Sequence, residues 1–306
     1  MALPFTRRWL ILFLVAVTVV VIVTLFFDRA GKSVSSVMDY SSVFKNLDYK
    51  ERPNVESCVN KNDDWETINP DTMTPTEIVK YLLWTNQTSC SLAHDFGGIM
   101  KMNNPRGYDG QKAVCLDGRV APLPGKCVIY SFGISYEWSF DEAMEKYGCK
   151  IFAFDPSMKM ADHQHSKAIT FYNLGLGSNS TKQGNGWIIK TLSDIYTMLR
   201  PIHGDVVIDY LKMDIEHSEW NVIPDIIKSG MLRKIRQLGV ELHLPGSAKI
   251  DQYRSRVKII KSLENAGFIR FDSKYNPWFK GNITGIDSTV PLGYEIAWYQ
   301  HLPYQQ

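Results

Sequence analysis

The sequence lacks several patterns that would point directly to a function. Its five cysteines and seven histidines form no paired Cys-x-x-Cys or Cys/His sets with zinc-ligand spacing, which argues against a structural zinc module. The 34 basic and 32 acidic side chains nearly cancel, and no long basic stripe alternates with aromatic residues, so nucleic acid is not an expected partner. A Gly-x-Gly-x-x-Gly motif is also absent, and a pyrophosphate cradle is therefore poorly supported.

One long apolar run lies near the N-terminus. Residues 9–27 contain no charge and no proline, and at about 1.5 Å per residue they approach the thickness of a bilayer core. We therefore predict a transmembrane signal anchor there, preceded by a short cytoplasmic tail, 1–8. A cleaved secretory signal is the alternative, although its apolar region would usually span only about 7 to 15 residues, and residues 25–28 do not resemble a cleavage site.

The residues after this run favour a lumenal location for the rest of the chain. Three glycosylation sequons, at Asn86, Asn179 and Asn282, all follow it. The five cysteines follow it too, and an oxidising lumen would let some of them form disulfides while at least one stays unpaired. We expect a single-pass type II protein of the Golgi or endoplasmic reticulum. A cytosolic domain with reduced cysteines is the alternative.

The lumenal part divides into a stem and a domain. Residues 28–73 are polar and show little apolar periodicity, which is typical of a stem. Thr74, Pro75 and Glu77 precede an apolar pattern and predict a capped helix at the start of a domain, 74–306. We predict no compact structure for the stem.

Short β-rich segments alternate with helical patterns after Gly125, which indicates stacked βαβ units. The predicted strands are 127–132, 150–154, 168–174, 206–213, 235–242, 268–271 and 293–299. The last two have no helix between them and predict a hairpin with one antiparallel strand. The expected fold is α/β: a doubly wound, mostly parallel, seven-stranded sheet with a C-terminal antiparallel hairpin.

Ligands of such sheets bind at the carboxyl ends of the strands, near the switch in strand order. The first predicted strand ends at Gly133, which has no side chain to keep a ligand away from the backbone. The second ends at Asp155, which follows Gly133 by 22 positions and is suited to bind the hydroxyls of an adenosine ribose. The predicted cofactor-binding residues at these ends and at the end of the fourth strand are Ser131, Phe132, Gly133, Ile134, Asp155, Pro156 and Met213.

Ionisable residues cluster at the ends of the fourth and fifth strands. Asp214, Glu216 and His217 follow one strand, and Glu241 and His243 end the other. Each residue alone is compatible with a helix cap or a solvated rim charge. Five such groups at neighbouring strand ends predict an active site, and we take all five as candidate catalytic residues.

Two further patterns invite specific predictions. His163 and His165 form a His-x-His segment, for which metal ligation together with Asp214, Glu241 or His243 is one interpretation, and a loop over the cofactor or surface histidines is the other. We expect no metal site. Cys127 begins the first predicted strand and Cys149 directly precedes the second, which is expected to be its neighbour, so we predict a disulfide or a close thiol pair.

Several segments in order resemble a known family. They are 128–140, 152–157, 163–166, 171–176, 211–220 and 241–243, and together they are similar to the methyltransferase-like protein 24 group, which is related to FkbM-type O-methyltransferases. The resemblance implies that Gly133 lies in the cofactor loop and that Asp155 binds the ribose. It also matches Asp214 and Glu216 to a Lys-x-Asp-x-Glu-Gly strand end, in which this chain has His217 instead of glycine.

These observations lead to one main hypothesis and two alternatives. The main hypothesis is an S-adenosylmethionine-dependent methyltransferase, in which one of His217, His243, Glu216 and Glu241 serves as general base. The resemblance suggests an oxygen acceptor, and the location suggests a glycan or glycoprotein. A Golgi glycosyltransferase would instead use Asp214 and Glu216 for a metal and a nucleotide sugar. A non-catalytic lumenal binding protein on a degenerate methyltransferase fold is the third possibility.

Overall fold

The structure is a computed structural model that describes residues 67–86 and 88–302. The predicted tail (1–8), the predicted anchor (9–27) and all but the last residues of the predicted stem (28–73) lie outside this part, as does Cys58. Within the described ranges, no helix is both long and apolar enough to cross a bilayer.

Five α-helices lie before or between groups of strands along the described chain. The strands are β1 Ala93–Phe96, β2 Ile99–Lys101, β3 Gly107–Asp109, β4 Lys112–Cys115, β5 Val128–Phe132, β6 Lys150–Phe154, β7 His163–Gln164, β8 Ile169–Tyr172, β9 Gly175–Leu176, β10 Thr181–Lys182, β11 Ile188–Lys190, β12 Ile208–Met213, β13 Ile235–His243, β14 Ile269–Tyr275, β15 Lys280–Gly281, β16 Val290–Pro291 and β17 Gly293–Tyr299. The α-helices are α1 Pro75–Leu83, α2 Ser139–Tyr147, α3 Leu192–His203, α4 Glu219–Lys228 and α5 Ile250–Asn265.

Eight strands form the main sheet, in the order β14-β17-β13-β12-β5-β6-β8-β7. Strands β13, β12, β5, β6 and β8 are parallel, whereas β17 is antiparallel to both of its neighbours. The α/β class, the mostly parallel sheet and the antiparallel strand near the C-terminus are thus confirmed. The predicted number of seven strands is wrong, because the two-residue strand β7 pairs with β8 at the sheet edge and is too short to give a strand pattern in the sequence.

Helices cover both faces of the main sheet. On β12, Leu211 belongs to the large apolar core that also contains residues of α1, α3, α4 and α5. The side chains on either side of Leu211 in the strand, including Tyr210, point to the opposite face of the sheet. On that face the Tyr210 hydroxyl donates to the Ala113 carbonyl oxygen of β4 (2.8 Å), and the Phe140 ring of α2 packs against the Tyr210 ring. This doubly wound arrangement leaves the strand ends as the exposed edge.

The first helix begins as predicted. The Thr74 hydroxyl accepts a hydrogen bond from the Glu77 backbone N–H, and the Glu77 carboxylate accepts one from the Thr74 N–H, which completes a capping box. Met73, just before the cap, is buried in the core. The boundary between stem and domain at residue 73 stays a prediction, since most of the stem lies outside the described residues.

Two disulfides stabilise the N-terminal half of the described domain. Cys127 and Cys149 are bonded, with their Cα atoms 4.7 Å apart, as predicted from their positions before β5 and β6. A second disulfide joins Cys90 to Cys115, with a Cα separation of 6.0 Å, and holds the start of β1 to the end of β4. The sequence alone left this second pairing open.

Candidate functional site

The switch in strand order lies at β5. Strand β6 pairs with one side of β5 and β12 with the other, so the chain proceeds in opposite directions from this point. A pocket of about 410 Å³ opens at the carboxyl ends of these three strands, with β9 to β11 forming its far wall. This is where a doubly wound sheet is expected to bind its ligand.

The loop after β5 is held in place by backbone geometry. Gly133 adopts φ of 80°, and a Cβ there would overlap the backbone carbonyl oxygen of Asp214. Lys212, buried on β12, donates from Nζ to the Gly133 carbonyl oxygen (2.6 Å). Ser135 and Tyr136 also have left-handed backbones, with φ of 47° and 64°. The glycine therefore makes room for the neighbouring strand end as well as for a ligand.

Asp155 lies in the pocket wall at the end of β6. Its Oδ2 accepts hydrogen bonds from the backbone N–H groups of Ile134 (2.9 Å) and Ser135 (2.8 Å). Its Oδ1 accepts from the backbone N–H (2.7 Å) and the hydroxyl (2.6 Å) of Ser157. The carboxylate thus joins the loops after β5 and β6, and ribose binding at Asp155 stays a prediction.

The other predicted cofactor-binding residues divide into two groups. Phe132 and Pro156 line the pocket together with Gly133 and Asp155. The remaining three are buried beside the pocket and do not line it; they are Ser131, Ile134 and Met213. The Phe132 ring stacks on Phe154, with centroids 4.5 Å apart, and the two rings form an apolar floor.

The far wall of the pocket was not predicted from the sequence. It consists of β9, β10 and β11 with their turns, and contributes Trp187, Ile189 and Asn179. These strands are two or three residues long, so they give no alternating pattern. Asn179 was recognised in the sequence as part of a glycosylation sequon and not as a pocket residue.

The predicted catalytic residues meet at the adjoining edge of the sheet. Asp214 and Glu216 line the pocket, whereas Glu241 and His243 are buried behind them. His243 Nε2 is 3.7 Å from an oxygen of Glu216 and 3.7 Å from an oxygen of Glu241. The exposed His217 donates from Nδ1 to the His243 carbonyl oxygen (3.2 Å). All five thus belong to one cluster, of which two members reach the pocket.

One important member of this cluster was not predicted. Glu219, at the start of α4, is fully buried, and its Oε1 lies 3.1 Å from His243 Nδ1. Its other oxygen, Oε2, has no hydrogen-bond partner among the described residues. The sequence offers no signal for this role, because a Glu in a first helical turn is common.

Two carboxyl groups of the cluster influence each other. Burial raises the pKa of Asp214 above its ordinary value, and Glu241 raises it further, while Lys112 opposes both. Burial also raises the pKa of Glu241, but the Lys112 charge and a hydrogen bond from Asn276 outweigh burial and leave this pKa below its ordinary value. The pKa values of the two carboxyl groups are thus shifted in opposite directions.

The imidazole of His243 responds to the surrounding negative charge. Burial lowers the pKa of His243, but the hydrogen bond to Glu219 and the charges of Glu219, Glu241 and Asp214 raise it to about 9. In the protein alone, the imidazole is consequently protonated at neutral pH.

The His-x-His segment lies apart from this cluster. His165 stacks on Trp138, with ring centroids 3.8 Å apart, and its Nε2 is 3.4 Å from a Glu142 oxygen. His163 bonds through Nδ1 to the Ala161 carbonyl oxygen (2.8 Å). Neither lines the pocket, and within the part of the chain that the structure describes they join no group of metal-ligating side chains.

Comparison with known proteins gives the family. A family profile described as a methyltransferase domain matches residues 81–287, more than half of the chain. The chain belongs to this methyltransferase-domain family. The resemblance to the methyltransferase-like protein 24 group is confirmed by two relatives.

Both relatives are named "Probable methyltransferase-like protein 24". The Homo sapiens protein is 30% identical over 186 residues, which cover 53% of this chain and 47% of the relative. The Rattus norvegicus protein is 29% identical over 183 residues, covering 52% and 47%. The chain thus spans about half the length of the curated relatives it matches.

The methyltransferase domain has a pocket suited to the cofactor of its family, which generally uses S-adenosylmethionine. The pocket volume, about 410 Å³, lies in the usual range of roughly 300–1,000 Å³ for ligand sites. The aromatic rings of Phe154 and Trp187 offer surfaces for an adenine, and Asp155 and Ser157 offer polar groups. The residues present therefore fit the cofactor.

His217 stands where the resemblance to FkbM-type sequences predicts a glycine, and the backbone at this position is one that suits glycine. Glu216 and His217 have φ of 49° and 70°, a left-handed conformation that glycine adopts without strain. In the methyltransferase domain described here, the bond from His217 Nδ1 and one from Trp220 Nε1 (2.7 Å) both reach the His243 carbonyl oxygen. These bonds help to hold the turn in its strained form.

Proposed function

We propose that this domain is an S-adenosylmethionine-dependent methyltransferase of the secretory pathway that methylates a hydroxyl of a glycan or glycoprotein. The observation that carries the proposal is the pocket at the strand-order switch, which Asp214 and Glu216 connect to a cluster of ionisable residues. Membership of the methyltransferase-domain family supports it.

The proposed binding mode assigns each part of the pocket a role. Phe154 and Trp187 contact the adenine, and the loop after Gly133 contacts the amino-acid portion. Asp155 orders that loop through its bonds to Ile134 and Ser135, and accepts the ribose hydroxyls if Ser157 releases one of its own bonds. Binding therefore depends on a pre-ordered loop more than on a single contact.

The chemical step needs little more than alignment and removal of one proton. The bound cofactor supplies a methyl group on a sulfonium sulfur. Transfer of that methyl group would form the bond from the acceptor oxygen to the methyl carbon and break the carbon–sulfur bond, whose electron pair would stay on sulfur. Glu216 is positioned to accept the hydroxyl proton, because its side chain is 82% exposed and lies at the pocket wall. His243, 3.7 Å from Glu216, orients that carboxylate.

Different observations support the proposed location of the domain and the proposed methyl acceptor. The two disulfides favour an oxidising compartment, and the apolar residues 9–27 favour a type II anchor with the domain in the lumen of the Golgi or endoplasmic reticulum. Glycans and glycoproteins are the abundant hydroxyl-bearing molecules of that compartment. The relatedness to O-methyltransferases favours oxygen as the accepting atom.

Calorimetric titration of the purified full-length chain tests the cofactor assignment. We expect saturable binding of S-adenosylmethionine and of S-adenosylhomocysteine, in a one-to-one ratio, and no binding of a panel of nucleotide sugars. Binding of a nucleotide sugar in place of both would indicate a glycosyltransferase. Binding of none of these compounds by folded protein would contradict the proposal and favour a lumenal binding protein.

A further inference from the structure

Three ligand-type side chains from the ends of two neighbouring strands converge beside the pocket without forming hydrogen bonds to one another. They belong to Asp214, Glu216 and His243, and one ligand-type atom of each lies within 4.8 Å of the other two. Asp214 and Glu216 come from the end of β12, and His243 ends β13. The separations are too long for hydrogen bonds and short enough for a shared ligand.

The imidazole of His243 is oriented toward this group. Glu219 Oε1 lies 3.1 Å from Nδ1 and accepts its proton, so Nε2 is the ring nitrogen that can bind a cation in exchange for its own proton. Nε2 is 3.7 Å from oxygens of Glu216 and Glu241, and among the described residues no hydrogen bond reaches it. His243 is only 5% exposed. A buried carboxylate that holds the other nitrogen of a histidine is the usual support of a metal-binding histidine.

The distances match a coordination shell. Bonds of about 2.1 Å from a divalent cation place neighbouring ligand atoms roughly 3.0 to 4.2 Å apart. The 3.7 Å separations between Nε2 and the two carboxylate oxygens fall inside this interval. No separation within the group of Asp214, Glu216 and His243 exceeds 4.8 Å, so a small adjustment of the side chains would bring all three ligand atoms into this interval.

The local charge also favours a cation. Three carboxyl groups, of Glu216, Glu219 and Glu241, lie within 3.7 Å of the one imidazole. The nearby ammonium of Lys112 is bonded to another acid, Glu295, at 2.6 Å. Negative charge therefore exceeds positive charge immediately around His243.

We propose that Asp214, Glu216 and His243 bind a divalent cation, with Glu241 as a fourth ligand and Glu219 as the group that orients His243. One imidazole nitrogen with several carboxylate oxygens suits Mn²⁺ and Zn²⁺. A cation at this position takes the place of the proton on Nε2. The exposed side of Glu216 leaves open coordination positions toward the pocket.

The site gives the proposed transferase a way to recognise its acceptor, and this part of the inference rests on the proposed function. An acceptor oxygen bound at an open position would ionise more readily, because a divalent cation stabilises the developing alkoxide. Acceptors with two adjacent oxygens, such as vicinal diols of sugars, could fill two positions. The cation site itself does not depend on that activity.

Metal titration of the full-length chain after chelator treatment provides the test, with MnCl₂ and, separately, ZnCl₂ followed by calorimetry. We expect one equivalent of at least one cation to bind and to raise the Tm. Glu216→Ala should weaken binding by about tenfold or more, since it removes an exposed ligand without disturbing the core, and Glu219→Gln by about 10- to 100-fold. The control Asp251→Ala removes an equally exposed carboxylate on α5 and should bind as the unaltered chain does.

The outcomes separate this inference from the proposed function. No saturable binding of either cation up to about 1 mM, or equal affinities of Glu216→Ala and Asp251→Ala, would overturn the cation site and identify the cluster as an ion-pair network. S-adenosylmethionine affinity, measured in the same preparation without a cation, tests the transferase separately. Cation binding without cofactor binding would leave the metal site in place and contradict the transferase.

Discussion

Gly133 and Asp214 share one small space at the floor of the pocket, where β5 and β12 end. A Cβ on Gly133 would overlap the Asp214 carbonyl oxygen, and the Gly133 backbone has φ of 80°. The two strand ends can approach this closely only because position 133 has no side chain. The loop after β5 and Glu216 line the same pocket.

We therefore expect Gly133→Ala to lower the free energy of unfolding by more than the backbone strain of a left-handed alanine alone would. Gly125 provides the matched control: its φ is 81°, and a Cβ there would meet nothing within 4 Å. Gly125→Ala should cost about 1–2 kcal/mol from the backbone conformation. Gly133→Ala should cost roughly 1–3 kcal/mol more, from overpacking. Denaturant unfolding measures both, and equal losses would contradict the close approach.

Asp155→Ala tests whether the carboxylate binds the ribose or only orders the loops. We expect the affinity for S-adenosylmethionine to fall by roughly 1–3 kcal/mol in either case, because charge-assisted hydrogen bonds are lost. A cofactor analogue without the two ribose hydroxyls distinguishes the roles. If Asp155 contacts the ribose, this analogue should bind the unaltered chain more weakly than S-adenosylmethionine does, but bind Asp155→Ala about equally well.

A second variant, Ser157→Ala, removes one of the four bonds to Asp155 and frees an acceptor position on that carboxylate, so S-adenosylmethionine should bind this variant at least as tightly as the unaltered chain if Asp155 binds the ribose. If the losses of binding free energy from Asp155→Ala and from the missing ribose hydroxyls add in calorimetric titration, the aspartate acts through the loops alone. Unchanged affinity in folded Asp155→Ala would remove both roles.

The long strands of the sheet were predictable because their residues are apolar and β-branched or aromatic over several positions. β6 and β17 have the predicted bounds, Lys150–Phe154 and Gly293–Tyr299. The shorter strands β7 and β9 to β11 were not predicted, since two or three residues cannot show a period. Their positions depend on neighbouring strands, which a local pattern does not contain.

The site was predictable where it depends on strand order and not where it depends on side-chain direction. Asp214, Glu216, Glu241 and His243 could be brought together because parallel strands end at one edge. That Glu241 lies behind the pocket, bonded to Asn276 (2.8 Å), follows from packing against a loop distant in sequence. The same limit applies to Glu219 and to the four bonds of Asp155.

Asp141→Asn is expected to change how stability depends on pH. Asp141 is fully buried on α2, and burial raises its pKa to about 6 although Lys212 opposes the shift. Between about pH 4 and 6 the folded chain holds this proton more tightly than the unfolded chain does, so stability falls as pH rises through this interval. The loss amounts to about 3 kcal/mol at neutral pH.

Asn cannot ionise, so the variant should lack this decrease. Denaturant unfolding of both proteins at pH 4, 5, 6 and 7 measures the difference, which should grow in favour of Asp141→Asn as pH rises. Parallel pH profiles would show that Asp141 has an ordinary pKa in the folded protein.

Glycosylation tests the proposed lumenal location. Asn282 and Thr284 are exposed, so we expect a glycan on Asn282. Asn179 lines the pocket, and a glycan there would crowd the cofactor, so we expect Asn179→Gln to leave the electrophoretic mobility unchanged. Asn282→Gln should increase mobility, and Thr284→Ala should increase it equally because it removes the same sequon. No mobility change of the unaltered protein on glycosidase treatment, with protease access from the cytosol, would reverse the topology.

The strand-end cluster decides between an enzyme and a binding protein, and Glu241 is its most informative member. Glu241 does not line the pocket, yet one of its oxygens is 3.7 Å from His243 Nε2. Glu241→Gln should therefore leave the S-adenosylmethionine affinity within about twofold while lowering turnover by roughly 10²- to 10⁴-fold, since the cluster acts mainly in the transition state.

The measurement is transfer of a labelled methyl group from S-adenosylmethionine to solubilised secretory glycoproteins, beside calorimetric affinity and the Tm of each variant. Asp251→Ala, with a carboxylate remote from the pocket, should match the unaltered chain in all three. If Glu241→Gln loses cofactor affinity and turnover together, the carboxylate holds the pocket instead of serving the reaction. If turnover persists at the original rate, the buried half of the cluster has no catalytic role, because a group that orients the proton acceptor cannot be removed without slowing the step.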